Sequence, residues 1–405
     1  MMTKYIIIAT FTYPPPTRMP TPCPLIEVEG PPAERGHQYG RLAGERIALG
    51  IQHYAAQLAN SDFDNAALRD AVAGYLPVIE AFDAGFVTEM RAIAAGAEQP
   101  FENIVLLNAR TELLQIARRR ARAVAAIDGD DPDGCTGVVV LPEASRDGHL
   151  IHAQNWDWKV ECAETVVALK VHAHESDPGP DLLTFTEAGA LGRCGFNAAG
   201  IAITANYLES DRDYAQTGVP LALIRRKVLA QKHLALAMRA VYCTPKSASN
   251  NMIVSHAQGL AIDFECAPDE SFQVHPQAGL LVHSNHWQSA VALAKLRDTG
   301  IESTPDSLYR DLRVRSLLEP ARGRITAAHV KAALFDTFAG DWAVCRPPRR
   351  TLSNNMSASV AMIVMEPAQG TMQVAMLPAL NREFQRFTLD TTFTPAAVVA
   401  PEAFA

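Results

Sequence analysis

The sequence predicts an α+β protein in which helices fill the first third of the chain and strands dominate the rest. Three observations predict this class. Apolar residues recur at helical spacing up to about residue 123, apolar runs of strand length begin after residue 134, and strands follow one another in runs. A βαβ protein would instead alternate single strands with helices, so this order favours an α+β fold with layered sheets.

Composition is that of a globular protein with a substantial core. The chain has 405 residues, of which 48% are hydrophobic and 20% charged, and its formal net charge is −8. Disordered chains are poorer in apolar residues, and nucleic-acid-binding proteins need a concentrated basic surface. The composition therefore argues against disorder and against a nucleic-acid partner, while the length alone would allow two or three domains.

The N-terminal segment is short and interrupted by prolines. Its apolar stretch covers residues 5–11 and is followed by three consecutive prolines, Pro14 to Pro16. A membrane-spanning helix needs about 20 apolar residues, and a signal peptide needs a longer apolar core with a cleavage site after it. We therefore expect residues 1–24 to form an extension or an edge strand of a cytoplasmic protein with no membrane partner.

Helical periodicity covers three segments, residues 34–59, 76–95 and 102–123. An acidic stretch without apolar residues follows at 128–134. Its aspartates, glycines and proline are typical of turns, so we expect an exposed, flexible loop.

The rest of the chain alternates between strand-like runs and a few helices. A first hairpin joins 137–141 to 149–158 through a turn at 146–148. The remaining predictions are strands at 165–173, 182–187 and 200–207, a helix at 221–241, hairpins at 251–264 and 271–284 with turns at Gly259 and Gly279, helical segments at 289–318 and 326–338, and a last hairpin at 360–377 turning at Gly370.

Cys135 differs from the other six cysteines in its setting. The seven cysteines show no CxxC spacing, which excludes a disulfide scaffold and a zinc module. Cys135 follows Gly134 where the acidic loop meets the first strand. Attack of its thiol on the unhindered Gly134 carbonyl would cut the chain and free an α-amine, whose pKa of roughly 7.7–8.0 suits a general base. The alternative is a turn glycine followed by a half-buried cysteine.

Motifs around this junction resemble a known enzyme family. Asp133-Gly134-Cys135-Thr136 and, after one hairpin, Gln154-Asn155-Trp156-Asp157 are similar to the isopenicillin N acyltransferase family, which consists of autoproteolytic N-terminal-nucleophile (Ntn) hydrolases of peptidase family C45. The segments 108–113, 195–200 and 282–287 add weaker similarity, so that the resemblance covers roughly residues 25–395. It implies a four-layer αββα sandwich, the Ntn hydrolase fold.

The resemblance also implies how the chain is divided. Residues 25–134 correspond to a helical propeptide, and residues 135–405 to the β chain that carries the nucleophile after cleavage between Gly134 and Cys135. Both belong to one structural domain, and the propeptide is expected to stay bound as a subunit.

Three residues match catalytic positions of the family. Cys135 matches the nucleophile. Asp157 matches an acidic residue that holds the α-ammonium or assists the thiol, although it could be an exposed carboxylate at a strand end. Asn285 matches the amide donor of the oxyanion hole, a role in which losing the donor costs about 10²–10³ in rate. The alternative for Asn285 is a cap of a β-turn.

Supporting positions rest on weaker matches. Asn206 is similar in position to an asparagine of the related choloylglycine hydrolases, while Thr136 and Asn155 flank the matched motifs. Arg350 or the adjacent Arg349 would correspond to an arginine near the acyltransferase site. The relatives that hydrolyse bile acids and penicillin V carry an arginine where this chain has Gln154, which favours the acyltransferase-like branch.

Two further features receive structural interpretations. His283 and His286 form an HxxH pair, which a strand would place on opposite faces, so we expect packing roles and no metal site. Trp156 and Trp158 are expected to pack the sheet. No cofactor is expected.

The predicted function is a self-cleaving cysteine amidohydrolase that acts on a small N-acyl substrate through a Cys135 thioester. One alternative is an acyltransferase that moves an acyl group, from acyl-CoA or an amide, to an amine. Another, from a different class, is an uncleaved binding protein of the same fold. Assembly into a homo-oligomer is left open.

Overall fold

A computed structural model describes residues 21–59, 61, 63–124, 134–350 and 356–392. The predicted extension up to residue 20 and the predicted acidic loop at 128–133 lie outside these ranges.

The helices of the first third are shorter and more numerous than predicted. Each predicted helix extends over parts of two, separated at Ala43, Asp83 and Ala109. Asp83 shows why a break occurs: its backbone is extended, and its carboxylate accepts a hydrogen bond from Gly85 N at 2.9 Å, which caps the next helix. The helices are α1 Pro32–Leu42, α2 Gly44–Ala59, α3 Asn65–Phe82, α4 Ala84–Gly96, α5 Phe101–Asn108 and α6 Arg110–Val124.

Strands and a second set of helices make up the described residues from Gly134 onward, together with one strand near the N-terminus. The strands are β1 Leu25–Val28, β2 Gly134–Val140, β3 Ile151–Lys159, β4 Val166–Val171, β5 Leu182–Glu187, β6 Cys194–Asn197, β7 Ile201–Tyr207, β8 Asn250–His256, β9 Leu260–Cys266, β10 Ser271–Val274, β11 Leu280–His283, β12 Arg349–Arg350, β13 Met356–Glu366, β14 Thr371–Met376 and β15 Gln385–Thr388. The helices are α7 Leu221–Leu229, α8 Leu234–Tyr242, α9 Ala290–Leu293, α10 Ser307–Leu318 and α11 Ala327–Leu334.

These strands form two sheets. The larger sheet has the order β1-β4-β5-β6-β7-β8-β9-β10, and all its neighbours are antiparallel except β1 and β4. The smaller sheet has the order β11-β2-β3-β13-β14-β15, with β12 paired to β13. The predicted hairpins at 137–158, 251–264 and 360–377 are confirmed, and Gly259 and Gly370 take the positive φ that their turns require.

The hairpin predicted at 271–284 is wrong. Its first strand, β10, pairs with β9 in the larger sheet, and its second, β11, pairs with β2 in the smaller one. The segment therefore crosses between sheets. This crossing brings the residues after β11 next to the start of β2.

The sheets stack between two layers of helices. Strands β2 and β3 pack against β7, α7 and α8 cover the outer face of the larger sheet, and α10 and α11 cover the outer face of the smaller one. This arrangement confirms the predicted α+β class and the four-layer αββα sandwich. The main hydrophobic cluster contains side chains from both sides of Gly134, such as Tyr54 and Trp156.

Within the described residues, the structure contains no helix that combines the length and apolar character needed to cross a bilayer.

Candidate active site

Gly134 and Cys135 begin β2 and lie opposite β3 in a fixed register. Gly134 pairs with Asp157, and Cys135 pairs with Trp156. Side chains alternate between the faces of a sheet, and residues directly opposite each other share a face. Cys135 and Trp156 therefore face the larger sheet, where the Trp156 ring meets Phe185 edge-on at 6.0 Å. Asp157 faces the layer of α10 and α11.

Polar groups contact Cys135 at three atoms. Its backbone N donates to Oδ1 of Asn285 at 2.8 Å, and its carbonyl accepts from Nη1 of Arg310 at 2.6 Å. Nη2 of Arg193 lies 3.8 Å from its Sγ. The cysteine side chain is only 3% exposed. Backbone and thiol are thus held by residues from three separate parts of the chain.

Asp157 is a buried carboxylate with two partners. Its Oδ1 accepts a hydrogen bond from Oγ of Ser359 at 2.5 Å, and its Oδ2 lies 3.2 Å from Nε of Arg346. Neither charged side chain of this pair is exposed to solvent. The alternative of an exposed carboxylate at the strand end is therefore wrong.

Gly134 lies directly against this ion pair. A Cβ added to it would meet Nη1 of Arg346 at 2.6 Å and Oδ2 of Asp157 at 2.7 Å. Its φ is not positive, so the backbone conformation itself does not require glycine. The requirement at this position is space: only glycine allows the chain to pass so close to the carboxylate and the guanidinium.

A second carboxylate joins the two arginines on this face. Asp306 accepts a hydrogen bond from Nε of Arg310 at 2.6 Å and another from Nη2 of Arg346. Burial alone would raise the pKa of Asp306, but the two guanidinium groups hold it below its ordinary value. Likewise, burial disfavours the charge of Arg346, and the Asp157 and Asp306 carboxylates raise its pKa above the ordinary value. Asp306 and Arg346 are therefore both charged at neutral pH.

Asn285 contacts Cys135 through its amide oxygen. Oδ1 accepts from Cys135 N and from Nη2 of Arg310 at 2.8 Å each, while Nδ2 donates to the Tyr207 carbonyl at 2.8 Å. Its backbone N donates to Oγ of Ser307 at 2.7 Å, which fixes the loop after β11. The Tyr207 carbonyl is the one acceptor for Nδ2 among the described residues, so the second hydrogen of that amide is not engaged there.

The supporting residues lie in different places. Thr136 is adjacent to the site, where its Oγ1 accepts from Nη1 of Arg310 at 2.9 Å. Asn206 donates to the carbonyls of His283 and Ser284 at 3.0 Å each, and so holds the segment that leads to Asn285.

Two other supporting residues point elsewhere. Asn155 donates to the carbonyls of Leu334 and Val344, on the helical side of the smaller sheet. Arg350 is exposed on β12, whereas the adjacent Arg349 is buried, with its Cζ 3.9 Å from the centroid of the Trp342 ring. The arginine of this region that reaches Gly134 is Arg346.

The histidine and tryptophan predictions have different outcomes. Placement of His283 and His286 on opposite faces is wrong, because β11 ends at His283 and the two rings stack at 6.2 Å. Nε2 of His283 lies 2.7 Å from Oε1 of Glu265, and the Asp263 and Glu265 carboxylates raise the pKa of His283 to about 9 despite its burial. Trp156 and Trp158 are buried in the sheet packing, as predicted.

Sequence reasoning missed three arginines at the site, Arg193, Arg310 and Arg346. All three are buried. One signal was available for Arg346, which follows the apolar run Ala343-Val344-Cys345 and so stands where an unpaired charge would be costly. Nothing comparable distinguishes Arg310 from the other arginines of its helix.

Known proteins resemble this chain in sequence and in fold. Residues 144–377 match the family model described as acyl-coenzyme A:6-aminopenicillanic acid acyl-transferase. This range contains Asp157, Asn285 and the three buried arginines, and it begins after Cys135.

Individual relatives were also found. The chain is 28% identical, over 265 residues, to the 40 kDa form of acyl-coenzyme A:6-aminopenicillanic-acid-acyltransferase from Emericella nidulans, covering 64% of this chain and 68% of that protein. It is 30% identical over 154 residues to acid ceramidase from Balaenoptera acutorostrata scammoni, covering 37% of this chain and 33% of that protein. A mutant of conjugated bile acid hydrolase from Clostridium perfringens superposes with a TM-score of 0.43 and 12% identity, covering 63% of this chain and 92% of that one.

Proposed function

The chain belongs to the acyl-coenzyme A:6-aminopenicillanic acid acyl-transferase family, and on that basis we propose that it is a self-cleaving cysteine amidohydrolase. In this proposal the chain cuts itself between Gly134 and Cys135. The new N-terminal cysteine then hydrolyses the amide bond of a small N-acyl substrate through a thioester.

The arrangement around Cys135 is the observation that carries the proposal. A cysteine with a purely structural role needs no polar partners, yet here separate buried side chains contact its nitrogen, its carbonyl and its sulfur. A guanidinium beside a thiol favours the thiolate, which is the nucleophilic form. Convergence of fixed polar groups on one potential nucleophile is typical of an active site.

Cleavage begins with attack of the Cys135 sulfur on the Gly134 carbonyl carbon. A C–S bond forms and the C–N bond of the peptide breaks, while the thiol proton ends on the departing nitrogen. Water then hydrolyses the resulting thioester, which leaves a carboxylate on Gly134 and a free thiol on Cys135. The absence of a side chain on Gly134 lets the chain pass directly against the Asp157–Arg346 pair.

The released α-amine would remain within the polar network. Its nitrogen already donates to Oδ1 of Asn285, and removal of Gly134 opens the space next to Asp157. An α-amine titrates near neutrality, so it can take the thiol proton and return it to the leaving amine of the substrate. Asp157 and Asn285 are then the residues that orient this base.

In the substrate reaction, the Cys135 sulfur attacks the amide carbonyl and the amine leaves with the returned proton. Water resolves the acyl-enzyme to a carboxylic acid and the free thiol. The free hydrogen on Nδ2 of Asn285 is the group in this proposal that stabilises the negative oxygen of the tetrahedral intermediates.

The propeptide would stay bound after cleavage, because its contacts with the β chain are buried. Arg110 lies 2.5 Å from the Glu187 carboxylate, and Nε1 of Trp158 donates to the hydroxyl of Tyr54 at 2.9 Å. Asn108 bonds the Gly189 carbonyl and the Leu191 nitrogen. Loss of the propeptide would leave these β-chain groups unpaired.

Intact-mass measurement of the purified wild-type protein beside Cys135→Ala tests the proposal. We expect two fragments for the wild type, the larger beginning Cys135-Thr136-Gly137, and one uncleaved chain without amidase activity for the variant. Cys243→Ala is the matched control, because Cys243 is an exposed cysteine, and it should be cleaved normally. A single intact wild-type chain would support the uncleaved binding protein instead, and normal cleavage of Cys135→Ala would refute the mechanism.

Acyl transfer is the second candidate, and family membership favours it. The same thioester would be attacked by an amine in place of water, with the acyl group coming from acyl-CoA or from an amide. Product analysis with and without an added amine distinguishes the two, since only a transferase would form the new amide at the expense of the free acid.

A further inference from the structure

A narrow cavity is linked to the sulfur of Cys135 by Arg193, which lines the cavity and contacts the sulfur. It lies between the helices α5 and α6 of the propeptide segment, the end of β5 with the loop that follows it, and the start of α7. Its free volume is small, about 20 Å³, which leaves room for a group of a few atoms. Its charged lining residues are Arg110, Glu112, Glu187, Arg193 and Arg225.

Arg193 connects this cavity to the nucleophile. Its side chain lies over the Trp156 ring, with Cζ 4.1 Å from the ring centroid, and Nη2 is 3.8 Å from Sγ of Cys135. The residue is only 5% exposed, yet Nε and Nη1 have no hydrogen-bond partner among the described residues. A buried guanidinium normally has its N–H groups satisfied, so these two donors are exceptional.

Arg225 lines the same cavity from α7 and also has an unsatisfied donor. Its Nε is buried without a hydrogen-bond partner in the described part of the chain. Burial, together with the nearby charges of Arg193 and Arg110, lowers the pKa of Arg225 to about 10. The side chain therefore remains charged at neutral pH.

The carboxylates of the cavity form no ion pair with these two arginines, although the charge of Glu112 acts on Arg225. Glu187 lies 2.5 Å from Arg110 and is engaged there. Glu112 accepts a hydrogen bond from Leu221 N at 2.8 Å, and burial raises its pKa. No described carboxylate lies within ion-pair distance of Arg193 or Arg225.

We propose that Arg193 and Arg225 form a carboxylate-binding subsite, so that the preferred substrates carry a carboxylate a few bonds from the carbonyl that Cys135 attacks. Guanidinium groups present forked N–H donors that match the two oxygens of a carboxylate. The narrow cavity suits a compact planar anion rather than an extended acyl chain. This inference rests on the proposed role of Cys135 as the nucleophile and specifies the substrate class.

Alkylation of Cys135 by iodoacetate and by iodoacetamide tests the subsite without a substrate. In both reactions the thiolate sulfur bonds to the CH₂ carbon and iodide leaves, so the ratio of the two rates cancels the reactivity of the thiolate. What remains is the preference for the carboxylate over the neutral amide. Cys243, which is exposed, supplies the reference ratio in the same protein by peptide mapping.

We expect the iodoacetate-to-iodoacetamide ratio at Cys135 to exceed that at Cys243 by at least about tenfold, as a cavity of one charge sign concentrates counter-ions. Arg225→Gln should reduce this excess severalfold. Arg225→Lys, which keeps the charge and loses the fork, should fall in between. Arg239→Gln removes an exposed arginine of α8 and should leave the ratio unchanged. Added acetate should slow alkylation of Cys135 and not of Cys243.

Three results would overturn the inference: equal ratios at the two cysteines, equal effects of Arg225→Gln and Arg239→Gln, or a Cys135 that reacts with neither reagent. Since alkylation requires neither self-cleavage nor turnover, these failures are distinguishable from failure of the proposed function, which the Cys135→Ala experiment tests separately.

Discussion

Buried arginines lie against both faces of the smaller sheet, next to Gly134 and Cys135. They differ in whether a carboxylate pairs with them. On the face toward α10, Arg310 and Arg346 are paired with the carboxylates of Asp306 and Asp157. On the face toward the larger sheet, Arg193 has the Cys135 sulfur and an aromatic ring as neighbours and no carboxylate within ion-pair distance among the described residues.

The paired arginines are therefore suited to positioning the chain, and the unpaired arginine is suited to binding an anion. Paired charges resist displacement, because removing one partner leaves the other buried and uncompensated. The Asp157–Arg346–Asp306–Arg310 network can therefore fix the chain at Gly134 and Cys135, between which we propose that cleavage occurs. An unpaired buried charge has no such role in the free protein, and it gains a partner when an anion enters. Variants on the two faces should accordingly behave differently.

The largest effect is expected on the paired face. Arg346→Met leaves Asp157 without its charged partner and weakens the neutralisation of Asp306. Breaking a buried ion pair costs about 3–5 kcal/mol, so we expect a loss of that size in the free energy of unfolding, measured by urea denaturation.

The matched control for this loss is Arg322→Met. Arg322 pairs with Glu319 in an exposed ion pair on the surface, which should contribute less than about 1 kcal/mol. Equal losses for the two variants would mean that the Asp157–Arg346 pair contributes no more than a surface pair, and the contrast between the faces would disappear.

A smaller effect is expected for Gly134→Ala, which adds one methyl group on the paired face. The new Cβ would lie 2.6 Å from Arg346 and 2.7 Å from Asp157, so the backbone at residue 134 and the ion pair cannot both keep their positions. A misplacement of about 1 Å can cost about 10² in rate, so we expect self-cleavage to slow by about that factor. The rate is measured from the appearance of the fragment that begins at Cys135.

Gly74→Ala is the control for the added methyl group. Gly74 lies within α3, and a Cβ there meets no other atom within 4 Å. This variant should be cleaved at the wild-type rate and gain up to about 1 kcal/mol from better helix propensity. Normal cleavage of Gly134→Ala would show that contact with the ion pair does not set the position of the carbonyl.

Local patterns in the sequence were sufficient for most of the strands and for the layered α+β class. They failed at residues 271–284, where two short apolar runs separated by a glycine resemble a hairpin. The local pattern was right about the turn, since Gly279 has a φ of +78°. Which sheet each strand joins depends on edges that are formed by residues far away in sequence, so β10 and β11 could not be assigned by spacing.

The same limit applies to the site. Cys135, Asp157 and Asn285 stand in recognisable motifs, and the structure places the first in contact with Asn285 and beside Asp157 through Gly134. The buried arginines stand in no comparable motif, because the role of each depends on the partners that it meets. Arg193 and Arg346 differ in whether a carboxylate reaches them, which is a property of the assembled layers.

The smallest effect, and the one of opposite sign, is expected on the unpaired face. Arg193→Met removes a buried charge that lacks a counterion and replaces it with an apolar side chain. The relief of desolvation exceeds the lost contact with Trp156, so we expect the free energy of unfolding to rise by about 1 kcal/mol while amidase activity falls. Arg193→Lys keeps the charge and should bring no such gain. Destabilisation by Arg193→Met, measured by the same urea titration as Arg346→Met, would show that Arg193 holds the fold together as the paired arginines do.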